Sequence, residues 1–294
     1  MEIVHRIVSL NSPEFEEDLD KLGVKYEYED SASTTVILLI PETNKIWPKV
    51  KELVDKHRVF DNPSVQYTDE EKKAALWFYI GATGHFGYPQ PSGDFGYIEM
   101  TYDTSNYCSL CGIGGQQKAP FRFSGEPKSR HSHFIQLNWV FDEIFIRPEV
   151  RIVFDAEKVS GIAYEPAIIH KSEKTLASLQ QLRILHNAPP GLLTAKLNKV
   201  TCKINNEESH VRPKHHQDDW KKVFCGRVKY HYPTKCLTEY RNGTFRGAPD
   251  ILKSSEWFGS GGSASQLIIV SRRVADIVTE RKWRGLYFVP ITLV

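Results

Sequence analysis

The sequence predicts an α+β protein: an N-terminal α/β subdomain, then a two-lobed α+β part with a duplicated helix-strand unit and a zinc-ribbon-like Cys loop. Three observations predict it. The early part of the chain alternates strand-like and helix-like apolar patterns with turn residues between them. Two later segments align without a gap at an offset of 124 residues. Finally, Cys108-Ser-Leu-Cys111-Gly112 closes a tight loop on two thiols, the spacing that brings both sulfurs to one metal or into one redox pair. The boundaries that follow are 1–95 for the N-terminal subdomain, 96–190 for a first Cys-loop lobe and 191–294 for a second.

Taken in order, Ile3 to Leu10 reads as a strand. Ser12-Pro13-Glu14 then supplies a cap, a proline suited to the first helical position and an acidic first turn. Phe15, Leu19 and Leu22 continue at helical spacing until Gly23. Lys25 to Glu29 and Thr34 to Ile40 read as a hairpin or neighbouring strands, and Ile46, Val50, Leu53, Val54 and His57 as a second helix. This β-α-β-β-α order suits a small open sheet with helices on one face. Thr68-Asp-Glu-Glu71 is a capping box, and Ala74, Ala75, Trp77 and Phe78 extend it as a third helix ending at Gly81.

From there to about Gly125 the chain is rich in Gly, Pro and aromatic residues, with one strand expected from Tyr97 to Tyr102. So long a loop suits a functional segment or a metal-supported module, and a surface connection fits equally. Leu176, Leu179, Leu182 and Leu185 mark a further helix, and Asn205 to Asp219 a polar, His-rich excursion.

The repeat runs through Ile144-Phe-Ile-Arg-Pro-Glu-Val150, Val153, Phe154, Gly161 to Tyr164 and Pro166. Its second copy is Ile268-Ile-Val-Ser-Arg-Arg-Val274, Ile277, Val278, Gly285 to Phe288 and Pro290. Each copy reads as an apolar lead-in, a helix, a glycine stop and a strand ending at proline. A Cys-Gly precedes each, Cys111-Gly112 and Cys225-Gly226.

Composition excludes several classes. With 294 residues, 40% of them hydrophobic and 25% charged, the chain reads as an ordinary globular protein with a sizeable core. A net charge of +2 gives no global field for nucleic acid, which is not expected as a partner. No apolar run approaches the roughly 18 residues of a membrane helix, so no membrane association is expected. The first ten residues read as a strand and not as a signal peptide, and five cysteines then suit a reducing compartment, the cytoplasm.

With these motifs in hand, the chain resembles bacterial proteins named for a doubled Cys-x-x-Cys-Gly motif, and the broader set of immunity-type proteins encoded beside secreted toxins. Cys108, Cys111 and Gly112 match the first motif; in the second, Cys225 and Gly226 are present but Lys222 replaces the partner cysteine. Asp250-Ile251, Ile268 to Ser271, Val274 and Gly285 to Pro290 resemble the C-terminal pattern of the same proteins, so the likeness spans roughly the last two thirds of the chain. It implies a toxin-neutralising or other protein-interaction role.

A closed structural zinc site needs four ligands. Cys108 and Cys111 supply two, Cys225 is the third by symmetry, and Cys236 or His231 the fourth; His131, His133, Cys202 and His210 are also available. The competing reading is a relic loop with free thiols. A thioredoxin-like role is disfavoured, because Gly112, Gly114 and Gly115 replace the helix that would lower the first thiol's pKa. An enzymatic alternative is a metal-dependent hydrolase or nuclease using Asp250, Glu280 and Lys282, whose order resembles a Pro-Asp…Glu-x-Lys arrangement. A charged helix end explains the last two as well. A nucleic-acid-binding zinc module is the remaining alternative, but only Lys118, Arg122, Lys128 and Arg130 flank the motif. His210, His215 and His216 read as a solvated loop, and Gly259-Ser-Gly-Gly-Ser263 lacks the Lys-Ser/Thr of a phosphate loop.

Overall fold

The structure, a computed structural model, describes residues 1–29, 34–127, 131–203, 224–233 and 237–294. They fall into two compact units, 1–74 with Pro233 and Leu237, and 75–232 with 238–294. The α+β class holds, but the first unit ends at Ala74 and not near residue 95.

The first unit runs β1 (Glu2–Leu10), α1 (Pro13–Lys21), β2 (Glu27–Tyr28), β3 (Thr35–Pro41), α2 (Trp47–His57), β4 (Phe60–Gln66) and α3 (Asp69–Ala74). Its antiparallel sheet has the order β2-β3-β1-β4. Phe15 and Leu19 of α1 and Val50 and Val54 of α2 lie one turn apart on their helices and pack onto Ile7, Val36 and Leu38. Each such burial is worth about 1.5–3 kcal/mol. The capping box forms in both directions, Thr68 N to Glu71 Oε2 at 2.9 Å and Glu71 N to Thr68 Oγ1 at 3.2 Å. Sequence reasoning missed β4, which carries Pro63; a proline is tolerated there because β4 is an edge strand.

The second unit contains β5 (Trp77–Ala82), α4 (Tyr97–Thr101), β6 (Tyr102–Asp103), β7 (Gln116–Gln117), β8 (Arg122–Phe123), β9 (Phe134–Leu137), β10 (Val140–Ile146), α5 (Pro148–Ala156), β11 (Ile162–Ile169) and β12 (Thr175–Ile184). It continues with β13 (Lys199–Thr201), β14 (Val228–Tyr230), β15 (Thr238–Tyr240), β16 (Ile251–Phe258), β17 (Ser265–Ser271), α6 (Arg272–Glu280) and β18 (Leu286–Leu293). One sheet has the order β8-β11-β12-β10-β9, the other β13-β14-β16-β17-β5-β18-β15, and β6-β7 form a small ribbon.

The 124-residue repeat is a repeat of structure. Helix α5 at 148–156 maps onto α6 at 272–280, and the strands after them, β11 and β18, both begin 14 positions after the helix start. In each copy a hairpin leads into the helix, and the two strands flanking it in sequence are separated in the sheet by one antiparallel strand, β12 or β5. The copies interlock reciprocally. Gly161 turns back at φ +90° so close to β16 that a Cβ would lie 2.2 Å from Ile251 O; Gly285, at φ +114°, would meet Phe134 O of β9 at 2.3 Å. Both turns require glycine.

Ile144 and Ile268, Ile146 and Val270, Val150 and Val274, and Phe154 and Val278 are equivalent pairs, and all eight join one apolar cluster. A shared core explains why segments 96–190 and 191–294 belong to one compact unit.

Three elements differ from the sequence expectation. Trp77 to Gly81 is the strand β5, enclosed between β17 and β18, so the third helix stops at Ala74. Tyr97 to Thr101 is a helical turn, with Tyr97 and Thr101 buried four positions apart. Leu176, Leu179 and Leu182 belong to the strand β12, and Leu185 lies just beyond its end. A bulge between Pro166 and Ile168 of its partner puts extra residues into β12. Leu176 and Leu179 therefore enter one cluster and Leu182 another, a three-residue spacing that imitates a helix.

Candidate metal centre and the cleft beside it

The thiols of Cys108, Cys111, Cys202 and Cys225 meet within 4.8 Å of one another. Cys108 and Cys111 sit on the tight loop, Cys202 follows β13, and Cys225 precedes β14. The Sγ–Sγ distances of 3.9 Å for Cys108–Cys202 and 3.6 Å for Cys111–Cys225 are far from the ~2.05 Å of a disulfide. A tetrahedral ion at ~2.3 Å from each sulfur needs ligands ~3.8 Å apart. The group therefore fits a metal, and it is closed: four thiols, three of them buried, with no place kept for a substrate.

Backbone geometry builds the loop. Gly112 N donates to Cys108 O at 2.7 Å and Cys108 N to Ile113 O at 2.9 Å. Gly112 has φ +80°, and a Cβ there would stand 2.5 Å from Gly262 O and 2.7 Å from Ala264 N. The glycine is demanded by the 259–264 loop lying over it. Lys229, 1% exposed, ties the same parts together, donating to Cys111 O at 2.9 Å, Gly261 O at 2.6 Å and Ser263 O at 2.7 Å. The Gly259–Ser263 stretch is thus a strap over the thiol loop.

Burial pushes the Cys111 and Cys202 thiols up. Burial acts on Cys108 too, but the N–H groups of Cys111 and Leu110 outweigh it and hold that thiol below its ordinary range.

Of the residues expected as ligands, Cys108, Cys111 and Cys225 converge, whereas His231 is not a member of the group. Cys236, like Lys222, His210, His215 and His216, lies outside the described residues. The fourth thiol is Cys202, one of several spare donors by sequence and marked by no glycine or second cysteine nearby.

Asp250 is a structural residue. Its carboxylate accepts from Ser160 N at 3.0 Å, Ser160 Oγ at 2.9 Å and Ser271 Oγ at 2.9 Å, and meets Arg273 at 3.5 Å. His133 does the same in the other copy: its Nδ1 accepts from Arg284 N at 3.2 Å. Ser160 and Arg284 are repeat-equivalent, as are Arg147 and Ser271, whose N–H groups bond His133 O and Asp250 O. Glu280 ends α6, whose N-cap Ser271 donates to Asp250 at the other end, about 12 Å away along the axis. Lys282, at φ +54°, repeats the turn of Lys158 at φ +52°. The three do not assemble into a metal-binding carboxylate site.

Burial raises the Asp250 carboxyl, but the Ser160 and Ser271 donors and Arg273 outweigh it and hold it below its ordinary value. Its stabilising contribution is therefore present above the unfolded pKa of about 3.9 and lost as pH falls through the lower folded value. Asp250→Asn is expected to cost about 1–2 kcal/mol at neutral pH and progressively less below about pH 4, read by urea denaturation across pH.

Beside the thiol loop opens a cleft of about 1220 Å³. Ser109, Gly112 and Ser263 form one wall; Asp142, Glu143 and Lys253 lie within it, and Phe95 and Trp139 stand at another part of its lining. Lys253 Nζ lies 2.6 Å from Glu143 Oε1 and 3.4 Å from Asp142 Oδ2. Burial pulls the Lys253 ammonium down, but the two carboxylates outweigh it and hold it above its ordinary value. Burial pushes Glu143 above the usual carboxylate range despite that lysine.

Three non-glycine residues of the lining have left-handed backbone, Asp94 at φ +48°, Phe95 at +56° and Trp139 at +68°. Trp139 occupies the two-residue connection between paired Leu137 and Val140, at a position that favours glycine. Such conformations cost about 1–3 kcal/mol each and persist where surrounding structure enforces them. Here Asn138 N donates to Gly87 O at 2.9 Å and Tyr97 N to Pro91 O at 2.8 Å. No protein-family model matches the chain, and no curated protein is significantly similar to it. No helix among the described residues is long and apolar enough to cross a membrane.

Proposed function

We propose that the protein is a zinc-braced protein-binding module of the immunity type, which neutralises a cognate bacterial toxin by covering its surface in the cytoplasm. The observation that carries this reading is the closed, largely buried set of four thiols, a donor set that suits zinc and leaves no coordination position for chemistry. Zinc held there fixes the glycine-rich loop and the strap across it. The enzymatic alternative is weakened because Asp250 is engaged in holding the turn at Ser160, as His133 holds the equivalent turn at Arg284. Protein binding gains support from Tyr88, Phe95 and Trp139, aromatic side chains 45%, 52% and 37% exposed.

The test is co-expression with the product of an adjacent toxin-type reading frame. A stable complex that elutes as one species, with growth restored, is the expected result. Toxicity undiminished and no complex by gel filtration would end the immunity reading.

A further inference from the structure

We infer that the aromatic part of the cleft is a docking groove for a basic segment of a partner protein, with arginine side chains laid on Trp139 and Phe95 and paired with Asp94 and Glu99. This rests on the protein-binding reading and names the chemistry of the partner's contact segment.

The aromatic surface is built and exposed at once. Trp139 packs against Tyr88 at 4.4 Å, Phe95 at 4.6 Å and Tyr97 at 6.1 Å between ring centroids. Only Tyr97 of these is buried; the other three keep more than a third of their surface open. A fold that needed these rings for its core would enclose them, and one that did not would relieve the strained turn with glycine at 139. Strained backbone holding aromatic residues outward is the pattern of a binding surface.

Charge selects the occupant. The cleft carries Asp94, Glu99, Asp142 and Glu143 against Lys253 and Arg183. Both cations are already engaged, Lys253 by Glu143 and Asp142, Arg183 by Glu165 at 2.9 Å. Asp94 and Glu99 are exposed and, among the described residues, make no ion pair or side-chain hydrogen bond. The unspent charge is therefore negative, in a chain whose net charge is +2, so the cleft departs locally from the rest of the molecule. Guanidinium satisfies both features, stacking on indole and phenyl faces while donating to carboxylates; ammonium stacks less well.

The test is titration of the zinc-loaded full chain with capped octa-arginine, octa-lysine and octa-glutamate peptides, followed by tryptophan fluorescence and calorimetry. Saturable binding of octa-arginine at low salt, weaker binding of octa-lysine and none of octa-glutamate are expected. Asp94→Asn/Glu99→Gln is expected to weaken octa-arginine binding about tenfold. Trp139→Gly should weaken it about as much while zinc content and Tm are retained, because the substitution also relieves the left-handed turn. Unchanged binding in either variant, or equal binding of octa-glutamate, overturns the inference. Repeating the toxin co-expression with Asp94→Asn/Glu99→Gln separates the two readings. If wild type and variant protect equally, the groove assignment fails and immunity stands. If octa-arginine binding is lost in the variant although wild type never protects, the groove stands and immunity fails.

Discussion

Cys111→Ser is expected to take the purified protein from about one zinc per chain to nearly none and to lower Tm by about 10 °C. Structural zinc in small finger domains supplies ~10–16 kcal/mol of apparent binding free energy, and there the whole fold depends on it. Here the thiol cluster is a small one, Cys108, Cys111, Cys202 and Ile113 with Trp257 and Phe224 against it, beside separate larger cores. Loss of metal should therefore open the loop and its strap and leave the repeat core folded. A stability loss of about 3–5 kcal/mol translates to roughly 10 °C at this domain size. Cys202→Ser is the discriminating companion, because it tests the fourth ligand directly. Elemental analysis giving a full complement of zinc in Cys202→Ser would return the fourth position to Cys236 or His231. No zinc in wild type would leave the four thiols as a packed cluster without metal.

Local signals are legible in the sequence where local physics decides. Pro13 at a helix start and the Thr68–Glu71 box each act within a few residues, and each stands in the structure as expected; the helix stops fall earlier than the glycines, at Lys158 and Lys282 in left-handed backbone, and Gly161 and Gly285 make the turn into the strand three residues on. The repeat was legible because helix, stop and strand keep their order and spacing in both copies. Its middle strand was not legible, because β12 follows its helix in the chain whereas β5 precedes the other by nearly two hundred residues. That permutation also hid β5, whose strand state is imposed by β17 and β18. At the candidate metal centre the first thiol pair announces itself by spacing. Cys202 reaches it only because β13 and β14 pair, with Lys199 opposite Tyr230, and so bring Cys202 beside Cys225. No local pattern encodes such a pairing. The cleft is equally invisible in the sequence, since Glu143, Arg183 and Lys253 come from three strands of two sheets.

Lys253→Met is expected to cost about 3–5 kcal/mol, the penalty for leaving a buried carboxylate without its cation. Lys253 holds Glu143 at 2.6 Å; the other Glu143 oxygen accepts from Gln181 Nε2 at 2.7 Å, and Gln181 and Gln117 exchange bonds at 2.8 and 2.7 Å. The network joins β7 of the thiol-loop ribbon to β10, β12 and β16, so it binds the two copies of the repeat beside the cleft. With Lys253 gone, Glu143 faces desolvation relieved only by Gln181, and its carboxyl, already raised, rises further. A carboxyl raised above its unfolded value favours the protonated fold, and that advantage is lost as pH climbs through the folded pKa. The deficit of Lys253→Met should therefore be smallest near pH 4–5 and grow toward neutrality, the opposite of Asp250→Asn at the acid end only in cause, since both deficits shrink as the carboxyl is neutralised. Adding Glu143→Gln removes the more deeply buried of the two carboxylates left without their cation and should recover about half or more of the loss, Asp142 keeping the remainder. Urea denaturation of the single and double variants between about pH 5 and pH 8 reads both effects. A double variant no more stable than Lys253→Met would mean that Lys253 acts through packing of its aliphatic chain, and that the charge network is incidental to the cleft.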